Sequence, residues 1–444
     1  MLFPVLMLCT AGVLTLQATE MPVEAGLLAD RAMRQLLYIF VGLAGMLAVM
    51  MVGYHRLGRW SYLLFAVCLV LLVYLLLGRW VAQLPLVKAI RGTRRWLFVG
   101  PIPLQPSELA KIAYVLALAW YLRYRRNYRT FMGLFVPFAI TLVPMGLILI
   151  QPDLGTVLLF LPVLFAMLFA AGARVRHLLL IVCMGICCLP LFWLKIADYQ
   201  RLRITGVLLQ DSRLRDYLVQ EPPASPEDSS YWDRVKSLFT EPVQTQPAED
   251  IPTAPSVLSR TRPMRWDWLC PKGTAPGLWR QELVEWENRS GYQLVASKNA
   301  IGSGGLTGQG WGRGIFFEYD FLPEAHNDFI FALIAHQWGV LGSLVVLAGF
   351  ALIFLVGLII ASLTVDPFGR LVAVGLATMI LVQALVNLAM TIGFGPITGM
   401  TLPFVSAGGS SLMASFISIG LLVSVAQRRP RTLATRSFEF DDLE

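Results

Sequence analysis

The sequence predicts an all-α polytopic membrane protein of about ten transmembrane helices, with a long extracytoplasmic loop between helices seven and eight. Three observations carry that prediction. Apolar residues make up 56% of the 444 and charged ones only 14%, and the mean hydropathy is +0.64, outside the range of soluble globular chains. Apolar runs of spanning length recur along the chain. Basic residues gather in alternate loops between those runs, the pattern that keeps positive charge on the cytoplasmic side.

The runs fall at about 2–17, 35–54, 60–78, 108–122, 131–150, 155–171, 177–194, 329–361, 371–390 and 409–427. The first has no positive n-region and no small-x-small cleavage site before Glu20, so it reads as an uncleaved helix. His55, Arg56 and Arg59 share one short loop. Arg123, Arg125, Arg126 and Arg129 lie in the next even one, and Arg174 and Arg176 in the one after. Arg370 and the tail residues Arg428, Arg429 and Arg431 continue the series, so both termini are expected in the cytoplasm. The net charge of +8 is then mostly topology, and no basic patch with interleaved aromatics points to nucleic acid. Cys9, Cys68, Cys183 and Cys270 are scattered, and Cys187 and Cys188 are adjacent in a run. They read as small packing residues, and no disulfide framework is expected.

These boundaries divide the chain into helices one to seven over 1–205, an insert over 206–290, a candidate catalytic loop over 291–328, helices eight to ten over 329–427, and a cytoplasmic tail over 428–444. The centre of the insert, about 211–288, is Pro-, Ser- and acid-rich at 220–228 and 244–250, which predicts largely irregular chain. Trp266, Trp268, Trp279 and Trp286 could dock it on the membrane interface or on another protein. On the same outer side, the loop at about 79–107 carries Arg79, Trp80, Lys88, Arg91, Arg94, Arg95 and Trp96. Positive charge there suits an anionic ligand, and the headgroup layer attracts Arg and Trp equally well.

Four constellations could carry chemistry. The segment 297–305 is glycine-rich, and 323–329 brings Glu324, His326 and Asp328, with Asp320 nearby, to the mouth of an apolar run. A carboxylate at such a boundary sees less water than one in a loop, so its proton affinity can be tuned toward base catalysis. No second histidine stands at ligand spacing from His326, so its expected job is to orient the loop, not to bind zinc. Glu108 and Lys111, three apart at a helix start, share a face; they line a cavity or form a structural ion pair. Asp153 lies in a Pro-Asp-x-Gly turn, where capping the following helix is as good a role as catalysis. Ser410 and Ser411 follow Gly408 and Gly409 at a helix start, which suits either an anion such as pyrophosphate or a tightly packed re-entrant loop.

Several of these segments together resemble the SEDS family of bacterial cell-wall polymerases. The matching pieces are Arg94-Arg95-Trp96, 105–111, 151–156, 199–203, 291–305, 323–331 and 396–411, in the family's order and over most of the chain. Gly310-Trp311 and 396–399 look closer to the RodA branch than to the FtsW branch. The resemblance implies a glycosyltransferase of the bacterial inner membrane that polymerises lipid II into glycan strands on the outer face, serving wall growth and cell shape. Its catalytic acid falls on Asp328, as general base for the acceptor sugar's 4-hydroxyl. Lys111, Arg91, Arg94, Arg201 and Arg203 would meet the charge of the undecaprenyl pyrophosphate leaving group. A divalent cation, magnesium or manganese, is an optional helper, and no other cofactor is implied. Implied partners are a class B penicillin-binding protein (a transpeptidase) and other elongation or division proteins. Three features depart from the family pattern: Asn327 stands for the usual Thr, His336-Gln337 for the usual acidic pair, and the insert is absent from ordinary members. The rival readings are a lipid-linked precursor flippase and a non-catalytic scaffold for a transpeptidase.

Overall fold

The computed structural model describes residues 1–20, 30–78, 86–90, 93–99, 102–124, 130–193, 206–207, 210, 291–318 and 326–428. Each predicted apolar run coincides with a helix. In chain order these are α1 (Leu2–Ala18), α2 (Asp30–Val52), the short α3 (Tyr54–Arg59), α4 (Ser61–Leu77), α5 (Pro106–Leu122), α6 (Phe135–Ile150), α7 (Leu154–Ala171) and α8 (Val175–Trp193). After the insert come α9 (Tyr292–Ser303), α10 (Ile315–Glu318), α11 (Ile330–Leu363), α12 (Pro367–Ile392) and α13 (Gly409–Gln427). Among the described residues, six stretches are long and apolar enough to cross a membrane: α2, α7, α11, α12, α13, and Met132–Ile150, which is α6 with the 3-10 turn before it. The helices α1 and α4 and the first part of α8 are shorter and also apolar.

Local chemistry sets several of the boundaries. Pro367 at the first helical position and Asp366 before it open α12, with the Asp366 carboxylate accepting from the backbone N–H groups of Phe368 (3.4 Å) and Gly369 (2.9 Å). Pro106 opens α5 in the same way, and Gly172 in the left-handed region ends α7. Between lipid-exposed faces the helices meet through small residues, because lipid supplies no hydrophobic drive and close approach maximises dispersion. Thus Gly42 of α2 lies under the Phe416 ring of α13, while Gly420 of α13 lies against the Met46 backbone of α2. Helices α5, α12 and α13 are the most buried of the bundle, and α7 and α11 pack against α12.

Helix α11 is broken. Gly339 has φ 62 and ψ −154, which no helix contains, and the break frees backbone groups in an apolar setting. The glycine-rich loop satisfies them. Gln309 and Gly310 donate to the carbonyls of His336 (3.0 Å) and Gln337 (3.1 Å), while Val340 and Leu341 donate to those of Gly305 (3.0 Å) and Leu306 (3.3 Å). A side chain at Gly339 would meet the backbone of Leu306 and Gly308 at 2.5 Å, so only glycine admits this docking.

Two expectations need correction. The all-α fold class becomes mostly helical, because the basic segment before α5 is an antiparallel sheet in the order β1 (Val87–Ile90), β2 (Thr93–Val99), β3 (Ile102–Leu104). Leu97 of β2 pairs with Val87 on one side and Leu104 on the other, and its buried side chain anchors the sheet to the bundle. The stretch 291–328 is not simply a loop, since it contains α9, whose Leu294, Ser297 and Ala300 face α11 and α12. The body of the insert, with Cys270 and its tryptophans, lies outside the described residues, as does the tail beyond Arg428.

Candidate active site

Asp328 sits in the turn that leads into α11, and the buried Phe329 and Ile330 hold that turn to the core. Its backbone carbonyl accepts 2.8 Å from the amide nitrogen of Asn387 on α12. Across from it, Gly399 at φ +67 brings bare backbone toward the carboxylate; a Cβ there would stand 3.2 Å from Asp328 Oδ2. Two residues earlier, the carbonyl of His326 accepts from the Ala407 N–H at 3.0 Å, tying this turn to the segment before α13.

Other walls come from the helices whose starts the sequence marked. Glu108 and Lys111 form an ion pair of 3.0 Å with side chains only 9% and 3% exposed. Lys111 also donates 2.9 Å to the side-chain carbonyl of Gln383 on α12. The amide nitrogen of Gln383 in turn donates to the Thr401 carbonyl (3.1 Å), and the Thr401 hydroxyl donates to Ser411 Oγ (2.8 Å). A charge pair this dry holds because further partners surround it. Asp153 caps α7, with Oδ1 accepting from the Thr156 N–H (3.3 Å) and Oδ2 from the Thr156 hydroxyl (2.9 Å); the Gln105 amide reaches the same Oδ2 at 3.3 Å. Arg95 of β2 donates to the carbonyls of Gln151 (2.8 Å) and Pro152, so its guanidinium positions the turn that carries Asp153.

These groups surround one cavity of about 370 Å³, lined among others by Arg95, Glu108, Asp153, Gln383, Ser411 and Asp328. Four of the sequence-selected residues therefore face a common space although they come from four parts of the chain. Lys111 stands behind Glu108 and does not line it. Ser410 turns away, donating to the Pro103 carbonyl (2.7 Å) and accepting from the Gln105 N–H (3.1 Å), which staples the sheet to α13. Arg94 lies in β2 by its backbone, while Arg91, Arg201, Arg203, Asp320 and Glu324 lie outside the described residues. Arg95 entered from the sequence only as part of the basic loop and of the Arg94-Arg95-Trp96 match, while Gln383 and Asn387 were not selected. A signal existed for the last two: amides four apart on α12, one turn of an otherwise apolar span, are costly unless they meet polar partners.

Among the described residues, the donor set of the cavity does not match a divalent cation site. Among the described residues no group of three or more His, Cys, Asp and Glu is placed to hold a metal. Within the cavity, Glu108 is engaged by Lys111 and Asp153 by the start of α7. His336 and Gln337 do not line the cavity. The His336 ring shares a 2.7 Å hydrogen bond between Nδ1 and Ser303 and packs between Phe316 and Phe317, so this pair belongs to the docking of the glycine-rich loop.

Comparison with known proteins agrees with this architecture. The family model FtsW/RodA/SpoVE, described as cell cycle protein, matches residues 1–217 and 279–431. The chain is 32% identical to the peptidoglycan glycosyltransferase RodA of Treponema pallidum, over 97% of each. It is 31% identical to the stage V sporulation protein E of Bacillus subtilis, over 89% of this chain and 87% of that one. Among solved structures, a chain of a peptidoglycan synthase complex that coordinates polymerization and crosslinking shares the fold with a TM-score of 0.63, at 24% identity over 97% of both chains.

Proposed function

The chain belongs to the FtsW/RodA/SpoVE family, and from that membership we propose that it is an integral membrane peptidoglycan glycosyltransferase with Asp328 as general base. The substrate is lipid II. The Asp328 carboxylate takes the proton of the acceptor sugar's 4-hydroxyl as that oxygen attacks the anomeric carbon of the donor, and the bond to undecaprenyl pyrophosphate breaks. The observation that carries the reading is the convergence of Asp328, Glu108, Asp153 and Ser411 on one cavity that also receives Arg95. Arg95, the one guanidinium among the described cavity-lining residues, meets the departing pyrophosphate, with Lys111 acting on the field of the cavity through Glu108. No step is assigned to a magnesium or manganese ion, because Glu108 and Asp153 are already engaged and leave Asp328 as a single carboxylate among the described cavity-lining residues.

About ten passes, with both termini in the cytoplasm of a bacterial inner membrane, set this cavity toward the outer face, where the lipid-linked disaccharide is presented. The partner is a class B penicillin-binding protein, a proposal supported by the likeness to a chain of a synthase complex. The test is purified protein in nanodiscs, with and without that partner, given lipid II and scored for glycan polymer. Polymer that disappears with Asp328→Asn supports the reading. Translocation of lipid II without polymer would favour the flippase instead, and recruitment of the transpeptidase without either activity would favour the scaffold.

A further inference from the structure

Asn387 is fully buried on α12, and its side-chain nitrogen donates to two backbone carbonyls at once, that of Asp328 and that of Met400. Both acceptors lie at the same end of the amide, so the orientation of the group is determined: turned over, its oxygen would face two carbonyl oxygens. The two carbonyls belong to adjacent segments of the cavity wall that come from different parts of the chain. One is the turn carrying Asp328, and the other is the segment Gly399–Thr401, whose Gly399 lies beneath the Asp328 carboxylate. One turn earlier on the same helix, Gln383 holds Lys111 and the Thr401 carbonyl. Residues 326–328 form a turn, while α12 is a 26-residue helix with much of its length buried in the bundle.

From this juxtaposition we infer that Asn387 is a positioning residue, which sets the Asp328 carboxylate against the acceptor hydroxyl by pinning the Asp328 backbone to α12. The inference rests on the proposed role of Asp328. Asn387 does not line the cavity, so it acts only through the backbone segments it holds, those of Asp328 and Met400. A base displaced by a fraction of an ångström loses rate steeply, because proton transfer requires hydrogen-bond distance at the moment of attack. Two substitutions separate this from a general packing role. Asn387→Leu keeps the volume and removes both donors, and Asn387→Ser keeps one short donor and leaves room for a water to serve the second carbonyl.

The experiment measures lipid II polymerisation by the full chain with its transpeptidase partner in nanodiscs, reading kcat, KM and the solvent deuterium isotope effect on kcat. The expected result for Asn387→Leu is a kcat lower by about ten- to a hundredfold with KM within about twofold, and a larger isotope effect as proton transfer becomes limiting. Asn387→Ser should fall between it and the parent, and carries the test by itself if the leucine variant does not accumulate in the membrane. Parent-level kcat in these variants overturns the inference. So does a lower kcat with an unchanged isotope effect, which is the signature of a smaller active fraction. Asp328→Asn is run beside them: if it retains full activity, the role of Asp328 fails, whereas a dead Asp328→Asn with fully active Asn387 variants sinks the positioning role alone.

Discussion

At the scale of single residues, the cavity separates groups that react from groups that hold. Asp328→Asn keeps shape and removes only the base, so polymerisation should fall on the order of a hundredfold or more while membrane abundance stays normal. A quantitative gel of polymer against enzyme amount checks both. The Glu108–Lys111 pair should behave as a coupled unit. Glu108→Gln or Lys111→Met strands the partner in a dry site, at a cost of about 3–5 kcal/mol, whereas the double variant removes both charges and should recover much of that loss. Thermal unfolding of the three variants in one detergent decides, and additive losses would show that the two charges do not depend on each other. The sequence made Glu108, Lys111, Asp153 and Asp328 legible because an ionisable group within or beside an apolar run is costly without a reason. It did not reveal that Ser410 and Ser411, adjacent in sequence, point to different tasks, since one residue turns a helix position by about a hundred degrees. Asn387 escaped notice because a neutral amide raises less alarm than a charge, although its burial makes the same demand for partners.

At the scale of elements, the break in α11 joins the glycine-rich loop to the bundle. Gly339→Ala forces a Cβ against the Leu306 and Gly308 backbone and places a side chain in a conformation reserved for glycine. The expected loss is about 1–3 kcal/mol, with the loop released from the helix. Hydrogen exchange should then speed up at Gln309, Gly310, Val340 and Leu341 and leave α5 unchanged. Equal protection in parent and variant would show that the loop is held elsewhere. Helix positions were legible because apolar runs in a membrane have one way to satisfy their backbone. The break was not, since Gly339 sits inside a continuous apolar run and its partner loop lies about thirty residues away in sequence. The sheet was hidden for a different reason. Its strands are three to seven residues long and carry Lys88, Arg94 and Arg95, so their charge pointed to a loop while their alternation was too brief to register.

At the scale of the whole molecule, the family match and the composition of the chain divide the sequence at nearly the same places. The match stops at 217 and resumes at 279, inside the stretch of about 211–288 that the sequence sets apart by its prolines and acids. Among the described residues, all that line the cavity belong to segments that the family shares. The bond-forming step therefore should not need it. Replacing 212–287 by a short Gly/Ser linker is expected to leave the rate of lipid II polymerisation by the purified protein with its partner within about twofold of the parent. A flexible linker closes that gap at small entropic cost, because loop closure depends only weakly on length. Five tryptophans in so polar a segment still call for an apolar surface to cover, and the membrane interface or a partner's outer domain would supply one. Normal polymerisation together with failed growth of cells carrying the linker variant would assign the insert to regulation. A folded protein with no polymerisation would mean that the insert completes the active site, and the division drawn here between a catalytic bundle and an accessory segment would not stand.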